Sequence, residues 1–370
     1  MSAAIVIGAG PAGSIAALLL ARSGFAVDLF ESHQFPRDKV CGECLSGVGQ
    51  DVLRRAGVLD RLNSAHPAQL THTLLHPTDG SSIDVPLPRV SMGISRLKMD
   101  MLLLAAAKEA GVSVHQPARC EDIQSGDKPS IIWRDLLSNT RSKMHTDWIV
   151  VADGKGALLP ETGKLTGDLG IKSRFENVKG PNDAIELFAG RGHYGGLAAV
   201  EDDCWNAAFS VPASLVKKCT GDLQQVFNHL VECNPTLKER VATARRVGPW
   251  LASPLPRFAV SGSWPMRVVP VGNAAAALEP VGGEGMGLAL RSAELAVNAI
   301  VAAERIGNPD HIEKLPGEFQ SLWRIRRTVC RGIAMMFSRA DLADALAPLI
   351  SANLSIPAAM MRWAGKAQDN

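Results

Sequence analysis

The chain has 370 residues, enough for two or three domains and for a core that needs neither disulfides nor metals. Hydrophobic residues make up 46% and charged residues 21%, which excludes a disordered chain. Lysine and arginine number 39 against 37 acidic residues, and a formal charge of +2 gives no case for a nucleic-acid partner.

In chain order, Ala4–Ile7 is a short β-branched run suited to a buried parallel strand. Gly8-x-Gly10-x-x-Gly13 follows directly, and Ile15, Ala16, Leu19 and Leu20 then predict a helix with one packed face, ending at Gly24. Phe25–Phe30 reads as a second strand closing on Glu31. Helices are expected over Gln50–Leu62 and Arg96–Ala110, with a hairpin or small sheet over Gln69–Val90. Val112–Val114 and Trp148–Val151 read as further strands of the first sheet, the second ending at Asp153-Gly154. From about 165 to 260 the pattern changes: short strands at Ala184–Ala189, Cys204–Val211 and Thr243–Val247 surround a helix over Asp222–Glu232. Val268–Val271 returns to an apolar strand, Met286–Arg305 predicts a long buried helix, and 311–364 reads as mostly helical.

No run of 18 uncharged apolar residues occurs, so no transmembrane segment is expected. The apolar start, Ala3–Ala21, lacks the basic leader of a secretion signal and carries glycines at fixed offsets. Seven scattered cysteines form no disulfide framework, which points to a reducing cytoplasm. No metal site is expected.

The glycine pattern has the full context of a dinucleotide fingerprint: strand, glycine turn, helix, strand, acidic residue. Gly8 allows the tight turn, Gly10 lets backbone approach a pyrophosphate, and Gly13 lets helix and strand pack closely. Amides at the helix start stabilise phosphate charge. Glu31, 18 residues after Gly13, is placed for a ribose diol and would repel a 2′-phosphate. FAD or NAD is therefore expected there. The glycine-rich loop Glu279–Gly287, following Gly272-Asn273, selects FAD, because its backbone can run beside a flat cofactor.

In these motifs the chain resembles the p-hydroxybenzoate-hydroxylase-like flavoproteins, nearest the branch of geranylgeranyl reductases and flavin-dependent halogenases. Three motifs over residues 1–305 carry the likeness: the fingerprint through Glu31, Phe35-Pro-Arg-Asp-Lys-Val-Cys-Gly-Glu-Cys-Leu-Ser46, and Gly272-Asn273 with Pro280–Gly287. Ser95-Arg96 with Asp100, Asp153-Gly154 and Gly192–Leu197 give weaker support. The resemblance implies an α/β fold: a Rossmann-like FAD-binding domain (1–68, 91–164, 261–307), an interleaved α+β substrate domain (69–90, 165–260) and a helical C-terminal cap (308–370). It also implies that Arg37, Arg96, Cys41, Gly42, Asp153, Gly272, Asn273, Gly283, Gly285 and Met286 lie around the cofactor. Asn273 stands where the family usually has an acid, which lowers charge without removing hydrogen bonding. Val151 and Leu158 also depart from the pattern around Asp153-Gly154, which bears on the use of NADPH there.

Candidates for the chemistry are Tyr194, the chain's one tyrosine, and His193 beside it, as acid, base or hydrogen-bonding groups. Glu43 and Glu284 sit in the loops expected to flank the flavin, where either a base or a structural role fits. Cys41 and Cys44 form C-x-x-C, either a redox pair or a flavin-lining thiol with a packed neighbour. The leading expectation is monooxygenation of an apolar or aromatic small molecule by molecular oxygen through a flavin C4a-hydroperoxide, with NAD(P)H as transient electron donor. Reduction of carbon–carbon double bonds in an isoprenoid-like substrate is the alternative. A third is an accessory flavoprotein that modifies a protein partner or relies on a reductase. Halogenation is disfavoured, because the family's Trp-x-Trp-x-Ile-Pro segment is missing and no lysine can be placed as the hypohalous-acid carrier.

Overall fold

The computed structural model describes residues 2–155, 158–159, 167–256, 258–260, 262–307 and 310–362. Ala3–Ile7, almost wholly buried, is the centre of a five-stranded parallel sheet. The order is Val268–Pro270, Trp148–Val151, Ala3–Ile7, Ala26–Phe30, Ser113–His115. An all-parallel sheet needs both faces covered. Helices Pro11–Arg22, Arg96–Glu109 and Gly285–Ile306 cover one face through Ile15, Leu18, Leu103, Leu290 and Ile300. A three-stranded antiparallel sheet, Ala118–Gln124, Ser130–Asp135 and Arg141–His145, covers the other through Cys120 and Ile131. That small sheet is absent from the sequence expectations, because its outer strand Arg141–His145 is polar and largely exposed.

Among the described residues the second sheet has nine strands. Its path runs Arg245–Arg246, Asp168–Glu176, Trp205–Pro212, Tyr194–Ala199, Ala184–Ala189, Ala68–His76, Ile83–Gly93, Cys44–Leu45. Leu251–Pro254 also pairs with Asp168–Glu176. Helices within 213–240 pack on one part of it through Val226, Phe227 and Leu230. On another part sit Asp310–Phe337 and Ala340–Ala352, whose Cys330, Ile333, Phe337 and Ala343 meet Val85, Leu187 and Tyr194. Phe319 and Trp323 of the same long helix enter the first core, and full burial of Phe319 stabilises by about 1.5–3 kcal/mol. One helix thus ties both sheets together.

The α/β architecture with interleaved sheets and a helical C-terminal segment is as expected. Several boundaries differ. The helix expected over Gln50–Leu62 is two, Gly47–Arg55 and Leu59–Asn63, broken at Gly57 with φ 61°. The hairpin runs on to Gly93, past the expected boundary at 90, because Cys44–Leu45 pairs with its end. The strand at Thr243–Val247 shrinks to Arg245–Arg246. The boundaries expected at 164–165, 261 and 308, and residues 363–364 of the expected helical region, lie outside the described residues. Gly285–Arg305 is long and apolar enough to cross a membrane by length and composition. It nevertheless carries Arg291 and Glu294, and its apolar residues pack in the first core, as a core helix does.

Candidate active site

One cavity of about 540 Å3 runs from the carboxyl ends of the parallel strands to the second sheet. Such a position, at the strand ends of an open parallel sheet, is where α/β folds bind dinucleotides. Gly8 has φ 101°, and a Cβ there would run into the Ala152 carbonyl. Gly13 does not line the cavity: its missing Cβ makes room for the Gly8 carbonyl, which is the helix-on-strand contact expected of it. Gly10 lies open. A Cβ built on it would stand 3.7 Å from the Arg96 guanidinium and 3.8 Å from that of Arg37. Two cations therefore converge above the start of Pro11–Arg22, whose first amides lack intrahelical acceptors.

Those cations are held in place. Asp100, wholly buried, accepts from Arg37 Nη1 at 2.9 Å and from Arg96 Nε and Nη2 at 2.8 and 2.6 Å. Burial works against the charge of Arg96, but the Asp100 carboxylate outweighs it and keeps the guanidinium ionised. Arg37 lies over the Phe35 ring at 4.7 Å, and its buried Nε has no partner. Lys39 joins them in the wall, its pKa lowered to about 8 by burial and by repulsion from Arg37 and Arg96. Three cations around an open glycine turn fit a pyrophosphate. Glu31 accepts from the Ala9 and His33 amides at 2.9 and 2.8 Å and lies 3.5 Å from Arg37. Burial would raise its pKa, but Arg37 and these amides hold it below the carboxylate range. Glu31 lines the cavity, where a ribose diol would sit.

The other loops also meet this end. Gly272 (φ 59°), Asn273, Gly283 (φ 64°), Gly285 and Met286 line the cavity, and Gly285 begins the helix Gly285–Ile306. Asp153 also lines it and accepts from the Leu158 amide at 3.3 Å. Cys41 and Gly42 form part of the same wall. The Cys41 sulfur accepts from the Glu43 amide at 3.4 Å, and Cys44 Sγ donates to the Gly42 carbonyl at 3.4 Å. Both are thiols, without a bridge between them.

Of the acid–base candidates, Tyr194 and Glu43 line the cavity, and His193 and Glu284 do not. The Tyr194 hydroxyl donates to Glu279 at 3.2 Å, and Arg331 of the long C-terminal helix holds the other Glu279 oxygen. Burial, reinforced by the Glu279 charge, pushes the phenol pKa well up, so Tyr194 keeps its proton. His193 is a correction. It does not line the cavity: it stands just before the strand Tyr194–Ala199, with its ring packed against Gly190. Its Nδ1 lies 3.1 Å from the Arg191 carbonyl, and burial lowers its pKa. Glu284 is a second correction. It turns away from the cavity to accept from Ser46 Oγ at 2.9 Å, tying the glycine loop to the Cys-Gly loop.

Sequence reasoning missed Lys172, Glu279 and Arg331. Lys172, only 1% exposed, donates to Asp38 at 2.8 Å and to Glu43. A lysine amid Ile171 and Ser173 in a buried strand was the available signal.

The site and the fold define a protein built to hold FAD. Residues 1–179 match the family model described as an FAD binding domain. The chain carries an FAD binding domain and shares its fold with flavin-dependent halogenases and a geranylgeranyl reductase-like protein. It is similar to conditioned medium factor receptor 1 of Dictyostelium discoideum, 26% identical over 80% of this chain and 62% of that one. It therefore spans about three-fifths of that relative's length. A menaquinone reductase of Mycolicibacterium smegmatis is 24% identical over 90% of this chain and 84% of its own. The solved structure of a myxobacterial chondrochloren halogenase superposes with a TM-score of 0.77 at 22% identity, over 88% of this chain and 79% of that one. Halogenating enzymes recur among further sequence matches at 22–31% identity.

Proposed function

We propose that the chain is an FAD-dependent monooxygenase acting on an apolar or aromatic small molecule, with molecular oxygen as co-substrate and NAD(P)H as electron donor. The observation that carries this is the wall of the cavity beyond the dinucleotide end. Ile171, Ile185, Leu187, Leu197, Leu278 and Val281 make it apolar, and Tyr194 with Glu279 interrupts it. Bound FAD supplies electron storage and oxygen activation. The chain's part is to exclude water, through the apolar wall, and to orient the substrate. Tyr194, protonated and anchored by Glu279, is suited to hold an oxygen of that substrate. Cys41 and Gly42 would lie against the cofactor, with Gly285 and Met286 on the loop opposite. In this reading the first sheet serves FAD, the second the substrate, and the C-terminal helices close the cavity. Cys41 and Cys44, both thiols, suit a reducing cytoplasm.

Reduction of a carbon–carbon double bond is the second reading, favoured by the near full-length similarity to a menaquinone reductase. Halogenation draws support from the recurring halogenase matches. Lys172, the buried lysine of the second sheet, is held by Asp38 and Glu43 rather than offered to the cavity, whereas Lys39 and Lys155 line it. One experiment separates the three. The FAD-loaded protein is reduced anaerobically with NADPH, then given labelled oxygen, bromide and a panel of phenols, indoles and prenylated quinones. Incorporation of labelled oxygen supports monooxygenation. Gain of two hydrogens or of bromine overturns it in favour of reductase or halogenase.

A further inference from the structure

Beneath Cys41 and Gly42 lies a buried group that the proposed reaction does not use. Glu43 is fully buried yet forms part of the cavity wall. Its φ of 59° is a left-handed conformation that favours glycine, so a glutamate there is held against local strain. One oxygen, Oε1, accepts from Lys172 Nζ and from the Arg96 amide, the latter at 2.8 Å. The other, Oε2, is buried without a partner.

The charges around it close on zero. Lys172 also binds Asp38, and Arg174 binds the other Asp38 oxygen at 2.9 Å, so two cations face two carboxylates. Arg96 meets Glu43 through its backbone amide, while its guanidinium belongs to Asp100. Cys41 and Cys44 flank Glu43 along the chain, and both thiols are engaged locally. A proton on Oε2 would break none of these bonds and would make the four-residue group a net cation. Burial already pushes the Glu43 pKa up, against the opposing pull of Lys172.

We propose that Glu43 is a redox-coupled proton acceptor: reduction of FAD in the cavity draws one proton onto Oε2. The inference rests on FAD occupying the cavity. The balance is as follows. Two electrons from the reductant and one proton from water would leave the flavin ring with one negative charge. One further proton, from water, binds Glu43 Oε2 and turns the neutral group into a counter-charge. Apart from that O–H bond on Oε2, no covalent bond in the protein is made or broken.

The test is anaerobic dithionite titration of the FAD-loaded protein with a reference dye, between pH 5.5 and 9. For a two-electron couple each proton taken up contributes about 30 mV per pH unit to the slope of the midpoint potential. The wild type is expected to follow about 60 mV per pH unit below an inflection and about 30 above it. Glu43→Gln, which keeps an oxygen for Lys172 and Arg96 but cannot titrate, should give about 30 throughout. Glu43→Asp should restore the inflection. Lys172→Met, which removes the cation opposing protonation, should move it to higher pH. Equal slopes in wild type and Glu43→Gln, or a wild type without an inflection, would overturn the proposal. A merely structural role predicts that Gln and Asp variants differ in stability but share the wild-type slope. A wild type that takes up no FAD would instead sink the cofactor reading itself, a visibly different outcome.

Discussion

Asp100→Asn is the sharpest test of how the pyrophosphate end is built. Asp100 is 0% exposed, and its carboxylate is shared by Arg37 and Arg96, whose side chains are 6% and 11% exposed. The substitution keeps size and shape but removes the charge. Arg96 is then left without its carboxylate, and Arg37 keeps only Glu31 at 3.5 Å. Breaking a buried pair by removing one partner costs about 3–5 kcal/mol, because a buried charge is left uncompensated. The exposed control is Asp51→Asn. Asp51 is 22% exposed and pairs with Arg54 and Arg89, themselves 58% and 23% exposed, so the loss should be about 0–1 kcal/mol. The assay is urea denaturation of FAD-free protein at pH 7, comparing both variants with wild type. A double-mutant cycle adding Arg96→Gln isolates the pairwise part. If Asp100→Asn loses no more than Asp51→Asn, the two arginines are not held by a common buried carboxylate, and the preformed cradle is wrong.

Four further outcomes follow from named contacts. Gly10→Val should fold normally but lose FAD, since its side chain would fill open space beneath Arg37 and Arg96; Gly13→Val should lose the fold as well, because it meets the Gly8 carbonyl. Visible spectra and thermal melts of the two variants separate these. Tyr194→Phe should retain FAD and lose at least tenfold in turnover, about 1.4 kcal/mol of transition-state stabilisation, whereas unchanged turnover would reduce Tyr194 to packing. Glu31 has a folded pKa below its ordinary value of 4.5. Its stabilisation is therefore present above the unfolded pKa and lost as pH falls through the folded one. The stability gap between wild type and Glu31→Gln should close in acid, and a gap constant from pH 7 down to pH 2 would contradict the pairing. Cys44→Ser should turn over like wild type with NADPH, because Cys44 Sγ donates to the Gly42 carbonyl and forms no bridge to Cys41. Loss of turnover at normal FAD content would revive the redox pair.

The dinucleotide end is legible in the chain because its parts are local. Gly8, Gly10, Gly13 and Glu31 fall within one strand–helix–strand unit, and each answers a demand of backbone geometry that only its residue type meets. The second end is built differently. Tyr194 stood out as the chain's one tyrosine, but its partner Glu279 comes from the glycine loop 85 residues later, and Arg331 from a C-terminal helix. His193 and Glu284 were misplaced for a related reason. Next to glycines in the chain, both could face a pocket, and only the packing of His193 against Gly190 and the Ser46 hydroxyl on Glu284 decide that they do not.

The charged groups divide along the same line. Asp100, Arg37, Arg96 and Glu31 form one balanced set at the dinucleotide end, and Asp38, Glu43, Lys172 and Arg174 form another under the Cys-Gly segment. The first set joins residues from two neighbouring segments and serves a ligand whose phosphates are always charged. Fixed guanidiniums are enough for that task. The second joins a loop to a strand more than 120 residues away and contains Glu43, a carboxylate that burial pushes toward its protonated form. Beside a cofactor whose own charge would change on reduction, groups able to gain a proton serve better than fixed ones. That difference in chemistry, more than the glycine motifs, is what the fold adds to the chain.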